Sequence, residues 1–308
     1  MDKYLIILNP VADKGGAEKA IPAIEALFKS NNMDYEIVRT EYPGHGIELA
    51  KKAAGNGYDV VIAAGGDGTA NEVINGLMLA REKNKKLPKF SVLPVGRGND
   101  FSYGMGIPTD LDVVVKLIVG GHTKAIDIGQ VIGGDYPKGR YFGNGIGIGF
   151  DTIVGFEAAK LPAFLSGIPA YLIAAIKTIF LYFDAPLLKI KMDDAEIEQA
   201  CIMVSVMNGR RMGGSFMMAP ESKPDDGLFS MCIVEQTTRM GIVKLFPKVM
   251  AGTQAGHPLV KTPLSSKLEI TALEGSLPVH ADGETICEKG EKLIVKIFPR
   301  QIEIICGV

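Results

Sequence analysis

The chain has 308 residues, 47% hydrophobic and 22% charged, with a net charge of −2 at neutral pH. That length carries two domains with real cores, and the composition excludes an intrinsically disordered chain. Lys and Arg form no long cluster, so nucleic-acid binding has no electrostatic support.

The opening MDKYLIILNP has too short an apolar run for a signal peptide, and its residues 4–9 read as a strand. A helix is expected over 17–30, with Ile21, Ile24, Leu27 and Phe28 on one face. A strand over 34–39 and a helix over 46–54 follow, the helix ended by Gly55 and Gly57. Residues 59–64 are apolar at consecutive positions, as in a strand covered on both faces. They run into Gly65-Gly66-Asp67-Gly68-Thr69, and a helix is expected over 69–81 with Thr69 as its cap and Asn71 and Glu72 in its first turn. A strand over 90–94 leads to a third glycine turn, Pro94 to Asp100, and a helix over 111–119 closes on Gly120-Gly121. This alternation predicts a mostly parallel, doubly wound α/β sheet with ligands outside the C-terminal strand ends. Three turns fall at those ends, 9–16, 65–69 and 94–100, and together they describe a phosphate pocket. Asp67 sharpens that reading, because a carboxylate beside phosphates is repelled unless it holds Mg²⁺ or a proton in transit.

After about residue 124 the pattern turns β-rich. Strands are expected over 125–132, 141–148, 187–192, 198–207, 228–234, 267–272, 278–281, 293–298 and 301–305, with helices over roughly 152–183 and 238–251. The expected division is 1–124, an α/β nucleotide-binding domain, and 125–308, a β-sandwich with helical inserts whose last strand returns to the first domain, with a shared cleft. Residues 161–183 are largely apolar, but Pro162, Pro169 and Lys177 interrupt them, which favours a buried or interfacial helix over a membrane span. Cys201, Cys232, Cys287 and Cys306 lack C-x-x-C spacing, which argues against structural zinc and disulfides and for a cytosolic chain. Met203, Met207, Met212, Met217 and Met218 read as core filler before lipid contacts, and His280 has no assignable role. His45 reads as a helix cap or a phosphate neighbour, with capping favoured.

Asn9-Pro10, Gly65-Gly66-Asp67-Gly68-Thr69, Gly98-Asn99-Asp100-Phe101, Ile126-Asp127-Ile128-Gly129, Asp225-Asp226-Gly227 and Asp282-Gly283-Glu284 together resemble the diacylglycerol kinase catalytic-domain superfamily. The likeness extends over nearly the whole chain and is strongest to soluble bacterial lipid kinases of the diacylglycerol and sphingosine kinase type. It implies an ATP- and Mg²⁺-dependent transfer of phosphate to a hydroxyl of a diacylglycerol-like lipid, by a cytosolic protein that visits the inner membrane face. Carried over by position, it places ATP against Asn9, Pro10, Asp13, Thr40, Gly65, Gly66, Asp67, Gly68, Thr69, Asn71, Gly96, Arg97 and Asn99, with Lys14 and Lys19 supplying positive charge. Asp67 and Asp127 would belong to the acidic network around Mg²⁺, and Glu284 would accept the hydroxyl proton. Asp226, with the carbonyls of Lys223 and Leu228, would hold a structural Mg²⁺ or Ca²⁺. Bare sequence reads Asp282-Gly283-Glu284 as a hairpin turn, Asp225-Asp226-Gly227 as turn-like, and allows Asp127 a turn-closing role. The sequence departs from the family pattern at Arg97, where Thr is usual, at Tyr103, where Arg is common, and at Ala12-Asp13, where Ser-Gly is frequent. An NAD kinase-like activity and a nucleotide-binding regulator without turnover are the alternatives. A homodimer is left open.

Overall fold

A computed structural model describes residues 2–81, 86–161, 168–181 and 185–307. The chain forms two compact units, one of residues 1–128 and 299–308 and the other of residues 129–298.

In the first unit, β1 (Lys3–Leu8), β2 (Asp34–Arg39), β3 (Val60–Gly65) and β4 (Lys89–Pro94) alternate with α1 (Gly16–Ser30), α2 (His45–Ala53) and α3 (Asp67–Arg81). α4 (Asp100–Gly104) and α5 (Leu111–Gly120) come next. The sheet order is β4-β3-β1-β2, all parallel. β3 is buried at every position, which is why its sequence shows no alternation. β1 has β2 on one side and β3 on the other, so the connections leaving β1 and β3 part there and open a crevice at their C-terminal ends. Asp110 caps α5 by accepting the Val113 N–H at 3.1 Å, and Gly121 in the left-handed region ends it.

β5 (Thr123–Gly133) carries the chain out of this unit. The second unit contains β6 (Tyr136–Phe142), β7 (Gly145–Gly149), α6 (Phe150–Ala159), α7 (Ile168–Leu181), β8 (Leu187–Lys191), β9 (Glu196–Met207), β10 (Phe229–Glu235) and α8 (Arg239–Ala251). It continues through β11 (Val260–Lys261), β12 (Leu264–Ser265), β13 (Lys267–Glu274), β14 (Leu277–Ala281) and β15 (Glu284–Gly290). β16 (Lys292–Ile305) returns the chain to the first unit, where Ile304 pairs in parallel with Phe90. β9 serves two sheets: residues 196–200 pair with β8, and 203–207 pair with β7 and β10. Phe142, Ile146, Val204, Val206, Ile270, Val279 and Leu293 fill the core between them, an antiparallel sandwich.

Several elements differ from the expectation. The strand expected over 141–148 is broken at Gly143-Asn144, whose N–H groups bind a side chain instead of a neighbouring strand. The two strands expected over 293–305 are one, kinked where Arg300 adopts φ +52°. β15 and α4 were not visible in the pattern of apolar residues. The helical stretch expected over 152–183, interrupted at its prolines, holds two helices, and residues 162–167 and 182–184 of it lie outside the described residues. Among the described residues no helix is long and apolar enough to cross a membrane. All four cysteines are free and buried.

Candidate active site

In the first unit, α3 begins two residues beyond β3. The Gly66 carbonyl accepts the Ala70 N–H at 3.1 Å, so Gly66 holds the cap position and Asp67, Gly68 and Thr69 form the first turn. Thr69 is therefore not the cap: its hydroxyl lies 2.2 Å from where a Cβ on Gly65 would stand and is packed inside the turn. The first amides of a helix have no intrahelical acceptor, and the aligned peptide dipoles favour an anion in front of them.

The 94–100 turn lies directly on this one. A Cβ on Gly96 would come within 2.3 Å of the Gly66 Cα and 2.6 Å of its nitrogen. Asn99, left-handed at φ +53°, donates to the carbonyls of Pro94 at 3.2 Å and Gly96 at 2.8 Å, which closes the turn. Asp67 then joins the two: its Oδ1 accepts the Phe101 N–H at 2.9 Å, and its Oδ2 is 2.9 Å from a Cβ position on Gly98.

The turn after β1 is next to them in sheet order. Asn9 donates its N–H to Ala64 at 3.0 Å and accepts the Val11 N–H on Oδ1 at 3.2 Å, an Asx turn leading out of Pro10. The Thr40 N–H donates to Leu8 at 2.8 Å, which fixes Thr40 at the same end of the sheet. Asp13 and Lys14 are both left-handed, at φ +48° and +55°, a costly pair of conformations for residues with a Cβ. Lys14 and Lys19 are exposed.

Two expected site residues are tied into the surrounding frame. Asn71 is fully buried and accepts from the Asn75 amide at 3.1 Å. Asp127 is also fully buried, and its Oδ1 accepts the Arg300 N–H at 2.8 Å, which anchors the returning segment.

In the second unit, Ala281 pairs with Glu284 across Asp282-Gly283, both left-handed at φ +49° and +87°. That is the mirror-image two-residue turn favoured between twisted strands. The buried Asp282 carboxylate accepts the N–H groups of Gly143, Asn144 and Gly145 at 2.8, 3.0 and 2.9 Å. Glu284 stands just outside the turn with its side chain 44% exposed and 3.9 Å from the buried Arg140 guanidinium. Elsewhere in this unit, Asp226 is exposed and accepts the Leu228 N–H at 3.0 Å, with Lys223 exposed nearby in sequence. No group of three or more His, Cys, Asp or Glu side chains suited to a metal occurs among the described residues.

Residues 3–131 match the family described as the diacylglycerol kinase catalytic domain, and residues 144–306 match the YegS C-terminal NAD kinase beta sandwich-like domain. A diacylglycerol kinase of Staphylococcus aureus (strain bovine RF122 / ET3-1) is 31% identical over 281 residues, covering 91% of this chain and 85% of the relative. The chain belongs to the diacylglycerol kinase family. A family relative from Staphylococcus saprophyticus is 28% identical over 279 residues, covering 91% and 88% of the two chains. The crystal structure of a diacylglycerol kinase from Bacillus anthracis strain Sterne shares the fold, with a TM-score of 0.73 at 23% identity over 99% of this chain and 97% of that one.

Against the family pattern, two departures turn out to be neighbours. Arg97 Nε lies 3.8 Å from Asp13 Oδ1, and both side chains are about half exposed. The larger cation and the extra acid therefore face each other. Asp13 also holds a left-handed backbone, a conformation that favours glycine.

Several contributors carry no signal in a one-dimensional reading. Glu72, expected only as a first-turn residue of α3, instead caps α2 by accepting the N–H groups of Gly44 and Gly46 at 2.7 and 2.8 Å. His45 is the first residue of that helix, and its Nδ1 accepts the Glu41 N–H at 3.1 Å. Arg140 and the three amides bound by the Asp282 carboxylate are found only through tertiary contact. So is a half-buried polar cluster over β7: a Cβ on Gly147 would fall 2.3 Å from Asp151 Oδ2 and 2.5 Å from His280 Nε2. Ser205 donates to Asp151 at 3.2 Å. Burial pushes the Asp151 carboxyl up to about 7 and the His280 imidazole down to about 4. The clue in the sequence is Gly145-Ile146-Gly147-Ile148-Gly149, glycine at every second position of a strand. Met203, Met207, Met212 and Met218 are buried in the core on this side of the sheet.

Proposed function

We propose that the protein is an ATP- and Mg²⁺-dependent lipid kinase that moves the γ-phosphoryl group of ATP to a hydroxyl of a diacylglycerol-like lipid. The observation that carries this reading is the backbone contact of Gly66 with Gly96, stapled by Asp67 at the C-terminal ends of a parallel sheet. A surface free of Cβ atoms at a helix start suits a phosphate chain, and Asn9, Pro10 and Thr40 extend it along the adjacent strand ends. Lys14, Lys19 and Arg97 supply the positive charge that phosphoryl transfer demands.

The donor set fits Mg²⁺: a carboxylate beside phosphate oxygens, with hard oxygen ligands throughout. Asp67 would hold the ion, which when bound neutralises charge on the β- and γ-phosphate oxygens. Asp127 would belong to the same acidic network, its Oδ1 held by the Arg300 N–H. A structural Mg²⁺ or Ca²⁺ would be held by Asp226 and the carbonyls of Lys223 and Leu228.

A lipid hydroxyl is a poor nucleophile and needs a proton acceptor as its oxygen bonds to phosphorus. Glu284 is the acceptor in this reading. Asp282 fixes the turn that carries it, and Arg140 orients its carboxylate. The acceptor lipid lives in a bilayer, so the enzyme visits the cytoplasmic membrane surface, with Leu172, Ile173, Ile176 and Phe180 of α7 as an exposed apolar rim. The full-length relatives named diacylglycerol kinase give no support to NAD as acceptor.

Purified protein, radiolabelled ATP, Mg²⁺ and diacylglycerol in detergent micelles should yield labelled phosphatidic acid. Asp67→Ala and Glu284→Gln should each lower the rate by roughly 10²-fold or more, with Glu284→Gln leaving ATP affinity intact. Protein that binds ATP yet labels no lipid overturns the proposal.

A further inference from the structure

α8 is built unlike a helix that simply covers a core. Ile242, Leu245 and Val249 are buried beneath it, as amphipathic packing requires. Its outer face, however, also carries large apolar side chains: Met240 is 61% exposed, Val243 46% and Met250 37%, with Pro247 and Ala251 exposed beside them. Arg239, Lys244 and Lys248 are the charged residues of the helix, and it contains no Asp or Glu. At 100° per residue, Met240, Val243, Pro247 and Ala251 share one stripe, and Lys244 and Lys248 border it on one side. Most exposed helices of globular proteins mix both signs of charge, and this one belongs to a chain of net charge −2. A stripe of apolar side chains edged by long cations suits a surface that is oily below and anionic above, because lysine stems lie along the apolar layer while their ammonium groups reach outward.

α8 is also fixed to the apolar rim already described. Arg239 Nε donates to the Ile179 carbonyl of α7 at 3.0 Å, and the two helices pack together. On α7, Leu172, Ile173, Ile176 and Phe180 fall within about a quarter turn of each other, and Phe180 is 63% exposed. Lys177 of α7 is paired with the buried Glu157 of α6, whereas Lys244 and Lys248 of α8 form no ion pair among the described residues.

We propose that α8, continuous with α7, is the docking face for an anionic lipid bilayer, with Met240 and Val243 entering the apolar layer and Lys244 and Lys248 meeting lipid phosphates. The inference rests on the lipid-kinase reading and names the surface through which that enzyme would reach its substrate. Each basic residue near an anionic surface adds to binding and loses its effect as salt is raised.

The test is co-sedimentation with vesicles of phosphatidylcholine alone and of phosphatidylcholine mixed with phosphatidylglycerol, at low and raised salt. The protein should bind the mixed vesicles about tenfold or more tightly than the neutral ones, with the difference shrinking in salt. Lys244→Glu with Lys248→Glu should abolish that preference, and Met240→Glu with Val243→Glu should weaken binding to both vesicles. Circular dichroism and activity toward diacylglycerol in detergent micelles should match the parent protein in both double variants. Equal binding to the two vesicle types overturns the anionic assignment. Variants that bind as the parent does overturn the choice of α8, as does a parent dimer in solution that either pair of changes makes monomeric, which would assign the face to a second copy. Failure to phosphorylate micellar diacylglycerol overturns the kinase reading instead, and vesicle binding reports on the docking face independently of it.

Discussion

In the first unit Gly66 and Gly96 bring backbone against backbone, whereas in the second Gly145 and Gly147 clear one face of β7 for the side chains of Met207, Asp151 and His280. The first use leaves nowhere for an added methyl group to go, because the atoms it would meet are main chain. The second leaves rotatable groups as neighbours, which can retreat at a cost. The same residue type therefore marks a rigid main-chain contact in one place and a half-buried polar chamber in the other.

The largest effect is expected at the rigid contact. Gly96→Ala puts a Cβ 2.3 Å from the Gly66 Cα, and the two turns must separate. The predicted loss is about 3 kcal/mol or more of stability together with the loss of ATP binding, read by urea unfolding and by calorimetric titration with ATP. Gly147→Ala is the counterpart. Its Cβ would meet the ends of Asp151 and His280, which can turn aside, so a loss of about 2 kcal/mol is expected, with ATP binding retained. Equal losses at the two positions would erase the distinction between main-chain and side-chain contact.

The chamber has a titration behaviour that sharpens the comparison. Asp151, raised in the folded state to about 7 from 3.8, keeps a proton that the unfolded chain releases. Its contribution is full below about pH 4 and is lost as pH rises toward 7. His280, lowered to about 4 from 6.5, does the reverse: its contribution is full above pH 6.5 and is lost as pH falls toward 4. Between those limits the folded state holds both groups neutral and the unfolded state both charged, with the same number of bound protons. Their contributions to the pH slope of stability therefore cancel. Asp151→Asn should leave stability rising with pH between about 4 and 6.5, and His280→Asn should leave it falling, each slope approaching about 1.4 kcal/mol per pH unit at its steepest. Urea midpoints across this range read the slopes. Parallel profiles for the two variants would show that Asp151 and His280 do not titrate in opposition.

What the sequence disclosed follows the same division. The parallel strands and the 65–69 and 94–100 turns were legible because continuous apolar runs and glycine clusters are local signals. Their contact through Gly66 and Gly96 was not, since nothing in a one-dimensional pattern reports that two turns touch. Asp127 and Asn71 show the limit from the other side: the family resemblance suggested an acidic network and a nucleotide contact, but not that both side chains would be fully buried and bonded to Arg300 and Asn75. In the sandwich, the hairpin at Asp282-Gly283 was readable from its dipeptide, but not that its carboxylate would interrupt a strand by binding three amides. The glycine alternation of β7 was visible as composition and had no meaning until Asp151 and His280 were placed over it.

The smallest expected effect concerns Asp13 and Arg97, half exposed on the 9–16 and 94–100 turns. Both are half exposed and their charges are 3.8 Å apart, so the pair should contribute under about 1 kcal/mol to stability. For ATP binding the two residues compete: Arg97 can face Asp13 or a phosphate, and Asp13 itself repels phosphate. Asp13→Gly should therefore tighten ATP binding a few-fold, while also relieving a left-handed backbone at residue 13. Arg97→Thr should weaken binding, and more so on the Asp13→Gly background, where the guanidinium is free to turn to the nucleotide. A coupling of about 1 kcal/mol, roughly fivefold in Kd, is the expected result of the double-mutant cycle measured by calorimetry. Additivity within about 0.3 kcal/mol would mean that the contact across the turns has no influence on the nucleotide, and that these two departures from the family pattern are independent.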